Sequence, residues 1–238
     1  MPTVNLLYKS EIPINDKIKV RMPTVGEILD NEDEYYDLIT LLTAMPIDML
    51  AQLDDAGIDF SEINEYDLFI MLFGSIKEKD TSLIFGDLRL CDFYLAKNEK
   101  NDTFILLNPM TGAVIDRVIH SQIADALRMI HGLKKDVRRP ANDEAKKYLI
   151  EKAKRRMRRM NKKKRRSQIE ELIVSMVNVG EFHYNYQTVR DLTIYQFNES
   201  VRQIIKKDNY DHMMVGIYMG TVNPKTINQD SLNWLSNK

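Results

Sequence analysis

The chain has 238 residues, a formal net charge of −1 and 44% hydrophobic residues, which is enough for a sizeable buried core. Its single cysteine, Cys91, excludes an intramolecular disulfide framework. The sequence contains no apolar run approaching the ~20 residues of a membrane-spanning helix, and its first residues do not have the pattern of a signal peptide. We therefore expect a cytoplasmic protein with no membrane partner.

The near-zero net charge hides three segments of different charge. Residues 1–133 carry 11 Lys/Arg and 23 Asp/Glu, residues 134–166 carry 17 and 4, and residues 167–238 carry 6 and 8. The corresponding net charges are −12, +13 and −2. We interpret the three segments as an acidic α+β domain, a basic linker or helix, and a helical C-terminal domain.

The acidic segment begins with a predicted β-hairpin followed by helices. Apolar and polar residues alternate on both sides of Asn15-Asp16, a dipeptide suited to a tight turn. Thr24 and Glu27 form a capping-box pattern that predicts the start of a helix. Apolar spacings of three and four predict further helices over residues 35–44, 49–56 and 64–76.

From Thr81 the apolar pattern changes to a period of two. It predicts an antiparallel meander of four strands, over residues 83–85, 88–95, 104–107 and 113–115. A helix over residues 121–131, ended by Gly132, follows the meander. The predicted fold class is therefore α+β, mostly α-helical, with a short N-terminal β-hairpin and a central antiparallel β-meander.

The basic segment predicts a helix that begins near Asn142. Its apolar stripe is narrow, with Leu149, Ala153 and Met157 at helical spacing. Cations surround this stripe, and they are the candidate residues for binding a polyanion or an acidic protein surface, this chain's own front half included. A solvated helix or a flexible linker is the alternative. The candidates are Arg155, Arg156, Arg158, Arg159, Lys162, Lys163, Lys164, Arg165 and Arg166.

The C-terminal segment predicts a helix from Ser167, another over residues 192–207 and a short one over residues 210–219. Two groups of apolar residues here are candidate contacts to a partner protein: one face of the second helix and an anchor in the polar tail. Ordinary core packing is the alternative for the same residues. They are Ile194, Phe197, Val201 and Ile204 on the helix, and Trp234 and Leu235 in the tail.

The sequence contains no motif that specifies a reaction. A Gly-rich phosphate loop, a nucleophile elbow and a Cys/His metal cluster are all missing from it. Asp92, Glu99 and Lys100 are the residue types of a metal-dependent nuclease site, but Glu99 and Lys100 are consecutive and lie in a predicted turn rather than on adjacent strands. We expect a protein that is not an enzyme and that uses neither a cofactor nor a metal.

Two stretches carry a resemblance to a known family. They are the N-terminal IPINDKIKVRMPTVGEIL, followed by small acidic helices, and the late helix DLTIYQFNESVRQIIKK, which comes after a basic linker. In this pattern the chain resembles the tail assembly chaperone-like proteins of long-tailed bacteriophages, which are encoded between the major tail and tape-measure proteins. The resemblance covers about half of the chain, and the chain departs from it in length and in the inserted meander. It implies a protein of the host-cell cytoplasm that keeps hydrophobic tape-measure helices soluble.

Two hypotheses of function follow. The first is a non-enzymatic phage assembly protein that binds tape-measure, tail or other virion proteins. The alternative is a nucleic-acid-binding protein that uses the basic helix over residues 144–166, for which a steep salt dependence would be diagnostic. The acidic front half weighs against nucleic acid and favours self-association, in which an acidic face meets the basic helix.

Overall fold

The computed structural model of the protein describes residues 5–98, 103–160, 167–228 and 233–235. It confirms the α+β class, with most residues in helices and two small antiparallel sheets. The helices are α1 (Val25–Asp30), α2 (Glu32–Thr43), α3 (Leu50–Asp55), α4 (Glu65–Lys77), α5 (Ser82–Phe85), α6 (Arg117–His131), α7 (Asp143–Met160), α8 (Gln168–Val177) and α9 (Ile194–Tyr218). The strands are β1 (Glu11–Pro13), β2 (Lys19–Arg21), β3 (Tyr94–Asn98), β4 (Thr103–Leu107) and β5 (Val114–Ile115).

The predicted N-terminal hairpin is confirmed. Strands β1 and β2 pair antiparallel, with Ile12 opposite Val20. The side-chain oxygen of Asn15 accepts hydrogen bonds from the backbone N–H groups of Lys17 at 2.9 Å and Ile18 at 2.8 Å, which closes the turn. Because Ile18 and Val20 are fully buried, the hairpin covers one side of the main core.

The central meander is present, but the first of its four predicted strands is wrong. Strands β3, β4 and β5 pair antiparallel in chain order, whereas residues 82–85 form the single helical turn α5. Asp80 accepts a hydrogen bond from the backbone N–H of Ser82, and Ile84 and Phe85 are both buried. Two consecutive buried side chains fit a helical turn better than a strand, in which neighbours point to opposite faces. The short apolar run alone did not distinguish the two structures.

The second half of the chain packs into the same core as the first half. The backbone N–H of Val25 donates to the carbonyl of Leu192 at 2.8 Å, and the N–H of Ile194 donates to the carbonyl of Pro23 at 2.9 Å. The main core contains side chains from residues 6–130 and from residues 169–201. The division into domains at residues 133 and 166 stays a prediction. The three segments differ in net charge, and they are named below only for that difference.

Helix α8 is also tied to the front half through its first turn. A side-chain oxygen of Glu32, at the start of α2, accepts hydrogen bonds from the backbone N–H groups of Gln168 at 2.9 Å and Ile169 at 3.1 Å. A carboxylate is favourable there because the first N–H groups of a helix lack intrahelical partners and carry partial positive charge. The basic segment therefore leaves the core after α6 and returns to it at α8.

Helix α9 is one continuous helix of 25 residues, where the sequence predicted two. A capping box between Thr193 and Gln196 begins it, and it continues through the predicted break near Asp208. No Gly or Pro interrupts residues 206–211. Lys207 and Asp211, four residues apart, form an ion pair at 2.7 Å across the predicted break.

A buried ion-pair network joins α2, α4 and α6. The guanidinium of Arg128 on α6 is almost fully buried and donates to the Thr43 carbonyl at 2.7 Å, to the carboxylate of Asp125 at 3.0 Å and to that of Glu65. Burial raises the pKa of Glu65, but hydrogen bonds from Lys135 and Arg128 outweigh it and hold the pKa below its usual value. The network fixes the end of α2 against the start of α4.

The substitution Arg128→Ala is expected to lower the free energy of unfolding by about 1.5–3 kcal/mol, because it leaves the Glu65 carboxylate with only the more exposed Lys135 and removes the buried donor to the Thr43 carbonyl. Urea denaturation followed by circular dichroism measures the loss. The double variant Arg128→Met/Glu65→Gln, which removes both charges, should lose less than Arg128→Ala alone. If Arg128→Ala costs under ~1 kcal/mol, the value typical of an exposed pair, the network is not the constraint described here.

Candidate functional site

The basic helix α7 lies along α3, on a small apolar cluster separate from the main core. The cluster contains Ala44, Leu50, Leu53, Phe60 and Leu68, all buried. Leu149, Ile150 and Ala153 on α7 pack against it. At spacings of one, three and four residues these side chains share one side of a helix, so burying them fixes which side of α7 faces the protein.

Two lysines flank this apolar contact and pair with an acidic patch, which we define as Asp54, Asp55 and Asp59. Lys154 lies 2.6 Å from a carboxylate oxygen of Asp54 and 2.6 Å from one of Asp55. Lys146 pairs with Asp59, donates to the hydroxyl of Ser61 at 3.2 Å and lies 5.6 Å from the centroid of the Phe60 ring. The inner side of α7 is thus held by apolar contacts in its centre and by ion pairs at both ends.

The ion pairs shift the pKa values of their members in the expected directions. Hydrogen bonds from Lys146 and then from Ser61 lower the pKa of Asp59 to about 2. Hydrogen bonds to Asp54 and Asp55 raise the pKa of Lys154 above its ordinary value. These groups are only partly buried, so salt still screens their attraction, and the apolar contact supplies most of the docking free energy.

The rest of the surface of α7, opposite to the docked side and on its flanks, is exposed and cationic. We define this outer cationic face by its exposed Lys and Arg residues. Arg155 forms an ion pair with Glu151 one turn earlier, at 3.0 Å. Tyr148 lies on the same side and is 65% exposed. The face contains Lys147, Lys152, Arg155, Arg156, Arg158 and Arg159.

The structure thus divides the basic segment between two roles. Docking on the chain's own acidic front half was one of the alternatives from the sequence, and Lys146 and Lys154 perform it. Arg155 and Arg159 lie on the side of α7 opposite to the docked side, and Arg156 and Arg158 lie on its flanks. All four are exposed, and their binding to a polyanion or to another acidic surface stays a prediction. Lys162 to Arg166 lie outside the described residues.

Sequence reasoning did not single out Lys146, Ile150 or Lys154. Their signal was nevertheless present. The two lysines are eight residues apart, and Leu149, Ile150 and Ala153 lie between them at helical spacing, so all five share one side. The high density of cations on the segment hid this register.

The predicted partner contacts on α9 lie partly inside the main core. Ile194 and Phe197 are fully buried, Val201 is nearly so, and Ile204 is half-buried against the same core. The structure therefore uses them for core packing, the alternative that the sequence left open. A partner contact at these positions stays a prediction, and it would require α9 to leave the core.

Beyond Ile204 the same side of α9 continues as an exposed surface. None of residues 202–219, all of which the structure describes, is buried. At 3.6 residues per turn the core-facing side of the helix continues through Ile205, Asp208, His212, Val215 and Met219, which we call the distal face. Ile205, Val215 and Met219 are 52%, 50% and 75% exposed.

The tail after α9 turns back along the helix. The backbone N–H of Val222 donates to the carbonyl of Gly216, and a Cβ on Gly216 would meet the Val222 side chain at 2.7 Å, so glycine permits this close return. Farther along, the side-chain amide of Gln203 donates to the backbone carbonyl of Trp234 at 2.9 Å. Trp234 is half-buried, and Leu235 is 70% exposed.

The described part of the chain has neither a cluster of metal-ligating side chains nor a membrane-spanning helix. There, no group of three or more His, Cys, Asp or Glu side chains is arranged to hold a metal ion. Glu99 and Lys100 of the nuclease-like set lie outside the described residues. No helix of the part that the structure describes is both long and apolar enough to cross a membrane.

Comparison with known proteins finds a similarity in the last third of the chain. Residues 161–238 match the family model of the YomV second domain, a phage-associated family from Bacillus prophage. The match covers about a third of the chain and includes all of α8 and α9. No curated protein and no solved structure matches the chain. The similarity supports a phage protein at this coarse level and says nothing about tail assembly.

The substitution Lys146→Met is expected to raise the pKa of Asp59 from about 2 towards its ordinary value of 3.8, because the largest cause of the shift is removed. Carbon-detected NMR of the Asp side chains over pH 1.5 to 6 would follow it. Since the folded-state pKa is lowered, the pair stabilises docking fully above pH ~4, and this stabilisation is lost as the pH falls towards 2.

The matched control for this titration is Lys152→Met on the outer cationic face, which should leave the pKa of Asp59 unchanged. An equal rise in both variants would mean that the overall charge of the helix, and not the Lys146 contact, lowers the pKa.

Proposed function

We propose that the chain is a non-enzymatic phage assembly protein and, more specifically, a tail assembly chaperone that binds an amphipathic helix of a tape-measure protein along the distal face of α9. One observation carries the proposal: the core-facing side of α9 extends beyond the core as an exposed, partly apolar surface. The similarity of residues 161–238 to a phage-associated domain supports the phage setting.

The length of α9 is hard to explain by packing within this chain alone. The helix is ~37 Å long at 1.5 Å per residue, and its buried residues, Ile194, Phe197 and Val201, all lie in its first third. Helices in proteins gain most of their stability from packing an amphipathic face. A partner that covers Ile205, Val215 and Met219 would extend this packing to the remaining two thirds of the helix.

The distal face also indicates the chemistry of its partner. Apolar residues at both ends of the face, with Asp208 and His212 between them, suit a helix that presents apolar anchors at the ends of its contact and a cation in the middle. Met219 offers a flexible thioether surface that adapts to different apolar partners. Such a surface fits a chaperone that holds hydrophobic helical segments.

The double variant Val215→Glu/Met219→Glu is expected to lose at least ~10-fold in affinity for the tape-measure protein of the same phage, because two charges would be buried at the apolar contact. Co-expression followed by centrifugation measures the soluble fraction of the tape-measure protein, and titration of a purified segment measures the affinity. Thermal unfolding of the variant should match that of the unmodified chain, since both positions are exposed.

The control is Val118→Glu/Val174→Glu, which places the same two charges at exposed valines on α6 and α8. This variant should keep the tape-measure protein soluble. The proposal fails if the unmodified chain does not increase the soluble fraction, or if both double variants reduce it equally.

A further inference from the structure

We propose that the outer cationic face of α7 binds the phosphate backbone of double-stranded nucleic acid, while the inner side of the same helix stays docked on the acidic patch. This activity goes beyond the protein contact proposed for α9 and uses a different surface. It rests on the way in which the structure sorts the cations of α7 between the two sides of the helix.

The negative charge of the front half, judged from the sequence alone, would repel a polyanion. In the structure the acids nearest to α7 are already paired, Asp59 with Lys146 and both Asp54 and Asp55 with Lys154. The two inner lysines therefore compensate two of these three negative charges locally. All the outer cations are exposed, and Lys152, Arg155 and Arg159 project on the opposite side of a helix about 10 Å across, a distance comparable to the Debye length at physiological salt.

The length and spacing of the outer cations suit the phosphates of a nucleic-acid duplex. From Lys147 to Arg159 the face extends over ~18 Å at 1.5 Å per residue. Duplex DNA carries about one phosphate charge per 1.7 Å of its axis, so a stretch of this length presents roughly ten phosphates. Like-charged residues one turn apart repel each other by tenths of a kcal/mol. Phosphates that bridge such residues would relieve this repulsion.

The composition of the outer cationic face favours nucleic acid over an acidic protein partner. The inner side of α7 shows what a protein contact of this helix contains: lysines at the ends and an apolar centre of Leu149, Ile150 and Ala153. The outer face is built differently, with guanidinium groups predominating and Tyr148 as its large exposed apolar side chain. Protein interfaces need an apolar centre, whereas phosphate contacts need charge and forked donors, which arginine supplies.

The mode of binding follows from the same composition. A face with mainly charged side chains contacts the backbone rather than base edges, so binding should not depend on base sequence. Tyr148 alone does not make the aromatic platform on which unpaired bases stack, so a duplex is expected to bind at least as well as a single strand. Affinity should fall steeply with salt, because each neutralised phosphate releases counterions.

Fluorescence anisotropy with a labelled duplex of about 20 bp, titrated with the full chain between about 50 and 200 mM salt, tests the proposal. The plot of log affinity against log salt concentration should have a negative slope. We expect the slope to become shallower by ~0.9 for each phosphate contact removed, and therefore by ~1.8 for Arg155→Gln/Arg159→Gln. The control Lys17→Gln/Lys19→Gln removes the same charge from exposed positions in the hairpin region and should keep the slope. Circular dichroism confirms that both variants are folded.

Three results would overturn the proposal: no binding of the unmodified chain at the lowest salt, equal slopes lost in both variants, or displacement of the duplex by poly-glutamate as readily as by unlabelled duplex. The last result would assign the face to acidic proteins. The distal-face variant Val215→Glu/Met219→Glu should bind the duplex normally, so failure of the α9 proposal and failure of this one are separable.

Discussion

The anchoring of both ends of the basic segment in one core decides where helix α7 lies. Ile130 at the end of α6 and Ile169 at the start of α8 belong to the same buried cluster, whereas none of the described residues between them does. This tether keeps α7 at a high effective concentration near the acidic patch. Exposed ion pairs that are individually weak, together with three apolar contacts, can therefore hold the helix in place.

The docking of α7 explains how a basic segment and an acidic front half pack together in one chain. Lys146 and Lys154 pair with acids of the front half, and the register that packs Leu149 and Ala153 against the small apolar cluster leaves the arginines exposed. One helix thus has an inner side that binds its own chain and an outer side that is available to other molecules. The distal face of α9 is the second available surface, and it differs in kind because it is partly apolar and contains no Lys or Arg.

Local signals predicted much of the fold, whereas tertiary packing decided what local signals could not. The turn at Asn15 and the capping box at Thr24 depend on neighbours within a few residues, so the sequence predicted them correctly. The register of α7 depends on where Asp54 and Asp59 lie in space. On α9, Phe197 and Val215 have the same apolar, periodic character, but one is buried by the chain itself and the other is not. Periodicity identifies a face that is to be covered without identifying what covers it.

Amine-reactive footprinting read by mass spectrometry shows directly whether α7 has one side docked on the protein and another side exposed. We expect Lys147 and Lys152 to react as fast as an exposed lysine such as Lys225. Lys146 and Lys154 are half-buried and paired with carboxylates, so we expect them to react several-fold more slowly. Added duplex should then protect Lys147 and Lys152 without changing the other two. Equal reactivity of all four lysines in the free protein would contradict the docked helix and with it the division of α7 into two sides.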